Sequence, residues 1–186
     1  MSTDQTAPER ARPRPSTNPR GRILPHLAGR APAAAPGSVL HGVSGATAVM
    51  LLLVAIGAAL HEPVLIPPLA ASAAIVHSAP GLPLAQPRSV IAGHLLCAAV
   101  GYAGLAAFGS SPWVAALAAG LALAVMTVAR TPHSPACATA VVIVLGTPDP
   151  RTFVPLLAGA ALLVVLAGVA LSRARRTGPR YPQYWW

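Results

Sequence analysis

Between Val39 and Ser172 the chain carries only five formal charges, Glu62, Arg88, Arg130, Asp149 and Arg151, and all of them fall near breaks between apolar runs. A stretch of that length with so few charges cannot supply the polar surface of a water-soluble domain. It fits a bundle of helices in a bilayer, where each crossing needs roughly 20 apolar residues. Composition agrees, with 54% hydrophobic residues, a mean hydropathy of +0.61 and 9% charged residues where soluble domains carry about 25%.

The remaining charge is segregated. All 13 basic residues are arginine, six of them within residues 1–30 and four within 173–180. A net charge of +9 invites a nucleic-acid reading, but no basic patch is interleaved with aromatics. Basic ends around an apolar middle instead match the positive-inside rule and place both termini in the cytoplasm, at the cell's inner (plasma) membrane. Residues 1–38, rich in Pro, Arg, Ala and Thr, read as a disordered cytoplasmic tail that touches lipid head groups. Residues 39–172 form the membrane domain, and 173–186 a basic, aromatic C-terminal tail that either docks at head-group level or stays loose. The first thirty residues show no apolar leader core, so the first membrane helix is expected to act as the insertion signal.

Within the membrane domain, long apolar runs at Val43–Leu60, Ser89–Phe108, Trp113–Ala129 and Thr152–Ser172 predict four long transmembrane helices. Two short runs begin at proline, from Pro68 to Ser78 and from Pro135 to about Leu145, and they read as broken or re-entrant helices. The short runs are copies of one another. Pro68-Leu69-Ala70-Ala71-Ser72-Ala73 aligns without a gap on Pro135-Ala136-Cys137-Ala138-Thr139-Ala140, and Gln86-Pro87-Arg88 is echoed by Asp149-Pro150-Arg151. The fold class expected is therefore an all-α membrane protein built as two internal repeats, each long helix, short helix, long helix. Re-entrant short helices give four crossings and parallel repeats; crossing ones give six and inverted repeats. Arg88 and Arg130 favour six, the shortness of Ser134–Gly146 favours four, and both counts return the C-terminus to the starting side.

A helix that starts within a membrane leaves its first N–H groups without backbone partners, and its dipole adds positive potential there. Two such starts facing each other would form a site for a small anion. The candidate substrate-binding residues are Pro68, Ala71, Ser72, His133, Pro135, Ala138 and Thr139: small residues to let a ligand approach, two hydroxyls to donate to it, and an imidazole to titrate. Packing segments with Ser72 and Thr139 bonded to the preceding turn are the alternative. Gln86, Arg88, His94 and Arg151 are candidates for gating or entrance; the alternatives are an ion pair or positive anchor for the arginines and a carbonyl-satisfied ring for His94.

Cys97 and Cys137 lie in apolar runs and read as packing residues, and the six histidines show no metal-ligand spacing. The absence of lysine removes any phosphate-binding loop of the Gly-x-x-x-x-Gly-Lys kind. With no Gly-x-Ser-x-Gly elbow or carboxylate pair, an enzyme is not expected, nor is a cofactor. The partners implied are the lipid bilayer and a small inorganic anion, without nucleic acid; a homo-oligomer stays open.

Three stretches carry a family resemblance. Thr131-Pro132-His133-Ser134-Pro135-Ala136-Cys137-Ala138-Thr139-Ala140 resembles the signature of the HPP family of integral membrane proteins. Pro83-Leu84-Ala85-Gln86-Pro87-Arg88-Ser89-Val90-Ile91-Ala92-Gly93-His94 and Leu65-Ile66-Pro67-Pro68-Leu69-Ala70-Ala71-Ser72-Ala73 are similar to its other two characteristic stretches. The resemblance covers about residues 42–172. It implies a small bundle usually described as four-spanning and, from members in plastids and cyanobacteria, an association with nitrite transport. His133, Pro135, Ala138, Thr139, Gln86, Pro87, Arg88 and His94 are the matching motif positions. The chain departs from the pattern at Ser134, where the family has proline, and at Cys137, where glycine is usual. The function expected is a passive or ion-coupled transporter or channel for a small anion, nitrite first. The rival is a non-transporting membrane scaffold or regulatory module.

Overall fold

A computed structural model of the chain describes residues 35–174 and 180–185, and every regular element among them is helical. The expected tail therefore lies outside the described residues up to residue 34. Among the described residues six α-helices follow in order: α1 Pro36–Leu60, α2 Pro67–Ser78, α3 Pro87–Phe108, α4 Pro112–Val128, α5 Cys137–Gly146 and α6 Pro150–Ala174. Short 3₁₀ turns at Pro83–Ala85 and Ser134–Ala136 lead into α3 and α5.

Proline sets the helix starts. Pro36, Pro67, Pro87, Pro112 and Pro150 are the first residues of their helices, and Pro135 sits in the turn that feeds α5. At that position the missing N–H is no loss and the fixed φ already suits a helix. This moves the start of α1 back into the segment read as tail, since Pro36-Gly37-Ser38 are its first three residues. Left-handed residues close several helices, with φ of 56° at His61, 56° at Arg130 and 44° at Thr147.

The helices α1, α3 and α6, with 25, 22 and 25 residues, are long and apolar enough to cross a membrane. Four such spans were expected. The fourth, α4, has 17 residues, because Ser111-Pro112 starts it and the chain turns off at Ala129-Arg130; at 1.5 Å per residue it reaches roughly 26 Å. The short helices α2 and α5 have 12 and 10 residues.

Close glycine contacts fix the helix directions. Gly42 lies against His77 and Ser78 while Gly57 lies against Val64, so α1 and α2 are antiparallel. Gly93 meets Met126 and Gly104 meets Val114 and Ala118, making α3 and α4 antiparallel. Gly93 also meets His133 and Gly101 meets Ala140, so α5 runs parallel to α3. Gly45 against Leu171 and the edge-to-face pair Tyr102–Phe153 set α6 against both α1 and α3. Direction thus alternates along the chain. One face gathers the turns 61–66, 109–111 and 147–149; the other gathers 79–86, 129–136 and residues 180–185.

Buried apolar residues form two groups. Val49, Leu53, Leu69, Val76, Val90 and Val164 fill the space among α1, α2, α3 and α6. Cys97, Ala118, Ala122, Met126, Ala140 and Val144 pack α3 against α4 and α5. The exterior is apolar as well: Trp113 is 82% exposed and Val128 85%. Such residues suit lipid far better than water.

Candidate functional site

Four polar side chains, Ser72, His94, His133 and Thr139, each with no exposed surface, meet where α2, α3 and α5 come together. Ser72 is one turn beyond Pro68 on α2, and Thr139 stands in the first turn of α5, four residues after Pro135. The aligned hydroxyls of the two copied segments therefore end up on either side of one imidazole. Thr139 Oγ1 lies 2.8 Å from His94 Nδ1, and Ser72 Oγ lies 2.9 Å from His94 Nε2. Ser72 Oγ is also 2.8 Å from His133 Nε2, and His133 Nδ1 reaches the Leu84 carbonyl at 2.6 Å. The two rings stand edge to face, centroids 5.1 Å apart. Glycine makes this approach possible: a Cβ on Gly93 would sit 2.9 Å from His133 Cβ.

The carbonyl fixes which atom carries each proton. Leu84 O only accepts, so His133 Nδ1 is protonated, and in a neutral ring Nε2 is then an acceptor. With both rings neutral, Ser72 gives its single proton to His133 Nε2 and its oxygen receives Nε2–H from His94; the same Oγ also lies 2.8 Å from Pro68 O, the preceding-turn bond expected under the packing alternative. His94 Nδ1 is left as acceptor for the Thr139 hydroxyl. The result is one directional chain: Thr139 to His94 to Ser72 to His133 to Leu84 O. Each donor has an acceptor, which is what burial of polar groups at this depth requires.

The helix-start amides are arranged differently from the expectation. Pro67 and Pro68 have no N–H, and the Leu69 and Ala70 amides both bond Ile66 O, at 3.0 and 3.2 Å. At the second start, Ala136 N–H bonds His133 O at 2.9 Å and Cys137 N–H bonds within its own turn. These donors are engaged, so the polar chemistry here belongs to side chains. Ala71 and Ala138 are exposed on the outer sides of their helices, away from the buried chain.

Of the residues expected at an entrance, His94 lies in the middle of the chain. Gln86 is fully buried and clasps the 79–86 turn, donating from Nε2 to Pro80 O and Leu82 O. Arg88 donates from Nη2 to Ala129 O at 2.9 Å. That contact explains a cation at the start of α3: it meets the negative end of α4. Arg151 is exposed in the first turn of α6, at the opposite face. There, Glu62 and Asp149 line a cleft of about 210 Å³ whose walls include Ile66, Leu69, Phe153 and Leu157. Cys97 and Cys137 are free thiols, with Cys97 Sγ 3.6 Å from Met126 Sδ. Among the described residues, no three His, Cys, Asp or Glu side chains form a group able to hold a metal ion.

The C-terminal residues complete the site from outside. Tyr181 is 5% exposed, seated beside Gly168, and donates its phenol to Ala85 O at 2.9 Å. Gln183 N–H bonds Gln86 Oε1 at 2.8 Å. Both contacts brace the turn that presents Leu84 O to His133. Burial raises the Tyr181 phenol above its ordinary value, so this group contributes stability that is present below about pH 10 and fades as pH rises beyond it. Tyr181→Phe is expected to cost about 1 kcal/mol at neutral pH and to flatten that alkaline loss, read by thermal unfolding of the detergent-solubilised protein.

An apolar helical bundle that hides its few polar side chains is an integral membrane protein. The chain belongs to the HPP family, whose transmembrane region it matches over residues 31–182. It is similar to two transmembrane proteins of Dictyostelium discoideum. One is 38% identical over 132 residues, covering 66% of this chain and 46% of that protein. The other is 34% identical over 126 residues, covering 63% of this chain and 40% of that protein. The chain thus spans less than half the length of these curated relatives. No solved structure gives a significant match.

Proposed function

We propose that the protein is a transporter or channel for a small anion, nitrite first among candidates, and that the Ser72–His94–His133–Thr139 chain is where the solute is recognised. The carrying observation is the complete burial of four polar side chains in a membrane bundle. Polar groups at such depth are expensive and usually belong to a solute or ion path. Two hydroxyls from copied segments flanking one imidazole favour a two-repeat architecture with the site at the repeat interface. The alternating helix directions favour the six-crossing count over the four-crossing one, and three per copy would invert the second. Arg88, Arg130, Arg173 and Arg180 lie toward the face that carries the 79–86 turn, which favours that face as cytoplasmic, with both termini there. Recognition would use hydroxyl O–H and imidazole N–H donors, released to the anion when the chain parts.

One observation favours the rival reading of a non-transporting scaffold: the chain is closed, with every member satisfied inside the protein. Purified protein in liposomes separates the two. Nitrite, nitrate, formate and chloride are offered, with protein-free vesicles as control. Nitrite flux above control that falls about tenfold in Thr139→Val, the equivalent of losing one buried hydrogen bond, supports transport. No flux of any of the four ends that reading.

A further inference from the structure

Ser72 has one partner more than a neutral chain can use. Its Oγ is 2.8 Å from Pro68 O as well as within reach of both imidazoles, yet it owns a single proton. In the neutral chain that proton goes to His133 Nε2, and the Pro68 carbonyl receives nothing from the hydroxyl. The geometry points to a proton-binding centre: His133 takes up one proton, and that proton is the ion coupled to movement of the solute.

The step balances without moving any heavy atom. A proton adds to His133 Nε2, giving an imidazolium that still donates Nδ1–H to Leu84 O and now donates Nε2–H to Ser72 Oγ. The Ser72 hydroxyl rotates so that its O–H points to Pro68 O. Ser72 Oγ then accepts from His133 and His94 and donates once, its full complement. His94 and Thr139 keep the bonds they had. Every N–H and O–H has an acceptor in both protonation states, and the system gains one positive charge. His94 is less suited to hold the proton, because its Nδ1 would then donate to Thr139 and displace that hydroxyl's own proton.

Uptake stops at one. Imidazoles with centroids 5.1 Å apart would repel strongly if both were charged. The titratable groups on neighbouring described elements include the Cys97 thiol on α3, the Cys137 thiol on α5 and the Tyr181 phenol against Ala85 O; α4 brings Met126, and the 83–86 turn brings carbonyls. Arg88 is engaged with Ala129 O, and His77 lies five residues beyond Ser72 on α2. The carboxylates among the described residues, Glu62 and Asp149, line the cleft that ends at Leu69, three residues before Ser72. Acids at that mouth favour the arrival of protons over anions from that face.

The coupling rests on the transport reading, whereas proton uptake does not. The test therefore has two arms. In nanodiscs, ¹⁵N-histidine spectra of the wild type are followed from about pH 4 to 9, with His133→Gln to assign the signals and Ser72→Thr as the variant that keeps the hydroxyl. One ring, His133, is expected to pass from one to two protonated nitrogens, while His94 stays neutral. In liposomes, nitrite entry is expected to acidify the lumen one for one, and His133→Gln to abolish the acidification. Nitrite flux with no lumenal acidification overturns the coupling and leaves transport standing. Titration of His133 without any anion flux overturns transport and leaves the proton site standing. If neither ring titrates across the range, the proton-binding centre is overturned.

Discussion

Ser72→Val is expected to destabilise the protein by about 3 kcal/mol and to suppress nitrite flux more than about tenfold. The substitution puts a methyl in place of the hydroxyl and adds a second methyl at a fully buried position, so Ser72→Thr, which adds the same bulk and keeps the oxygen, is the comparison that isolates the hydroxyl. Ser72 Oγ is the atom through which the two imidazoles are joined. Without it, His94 Nε2–H has no acceptor and His133 Nε2 has no donor, both sealed from solvent. A buried group left unsatisfied costs about 1–3 kcal/mol, and here two are created together. Ser72→Thr keeps the hydroxyl and is expected to recover most of the loss. Ala71→Val, on the exposed side of the same turn, is expected to change stability by less than about 0.5 kcal/mol. Thermal unfolding in detergent followed by size exclusion measures all three. A Ser72→Val protein as stable as the wild type would show that the chain of hydrogen bonds is not formed.

The prolines explain both what could be read from the amino-acid order and what could not. They mark the helix starts because the first helical position tolerates a missing N–H, and they exposed the copied segments from which Ser72, His133 and Thr139 were singled out. The same property undoes the expected anion cradle. Pro67 and Pro68 delete two of the donors that a helix start would offer, and Leu69 and Ala70 turn back onto Ile66 O. That part was legible in the residues themselves. His94 was assigned to an entrance because a histidine seven residues after the first residue of α3 has no visible partner in sequence; its partners arrive from 22 and 45 positions away. Leu84 left no sequence signal at all, since its contribution is a backbone carbonyl aimed by the 83–85 turn. The seat of Tyr181 joins residues 96 apart, and depends on the space at Gly168 rather than on any local pattern. Motif spacing thus found the hydroxyls, but the acceptor that orients the whole chain came from tertiary packing.

Gly101→Leu is expected to be the most damaging single change at the edge of the site, at about 4 kcal/mol, with loss of both proton uptake and flux. A Cβ at Gly101 would lie 2.9 Å from Ala140 Cα and 3.2 Å from Ala140 O. These are backbone atoms, so no side-chain rotation can relieve the contact and α3 must move away from α5. Small residues at such crossings are what let membrane helices pack closely. Gly101 is seven residues after His94 on α3, hence on the same face, and Ala140 follows Thr139. Separation at Gly101 therefore pulls on the 2.8 Å bond between Thr139 and His94, and an ångström of movement exceeds what a hydrogen bond tolerates. Gly101→Ala carries the same clash in milder form, about 1–3 kcal/mol. Gly104→Ala is the control on the same helix. Its added methyl would meet Val114 and Ala118 at 3.6 Å, an ordinary packing distance, and should leave both stability and His133 titration unchanged. If Gly101→Leu retained wild-type stability and the same titration, α3 and α5 would not be in backbone contact, and His94 could not be held between the two hydroxyls.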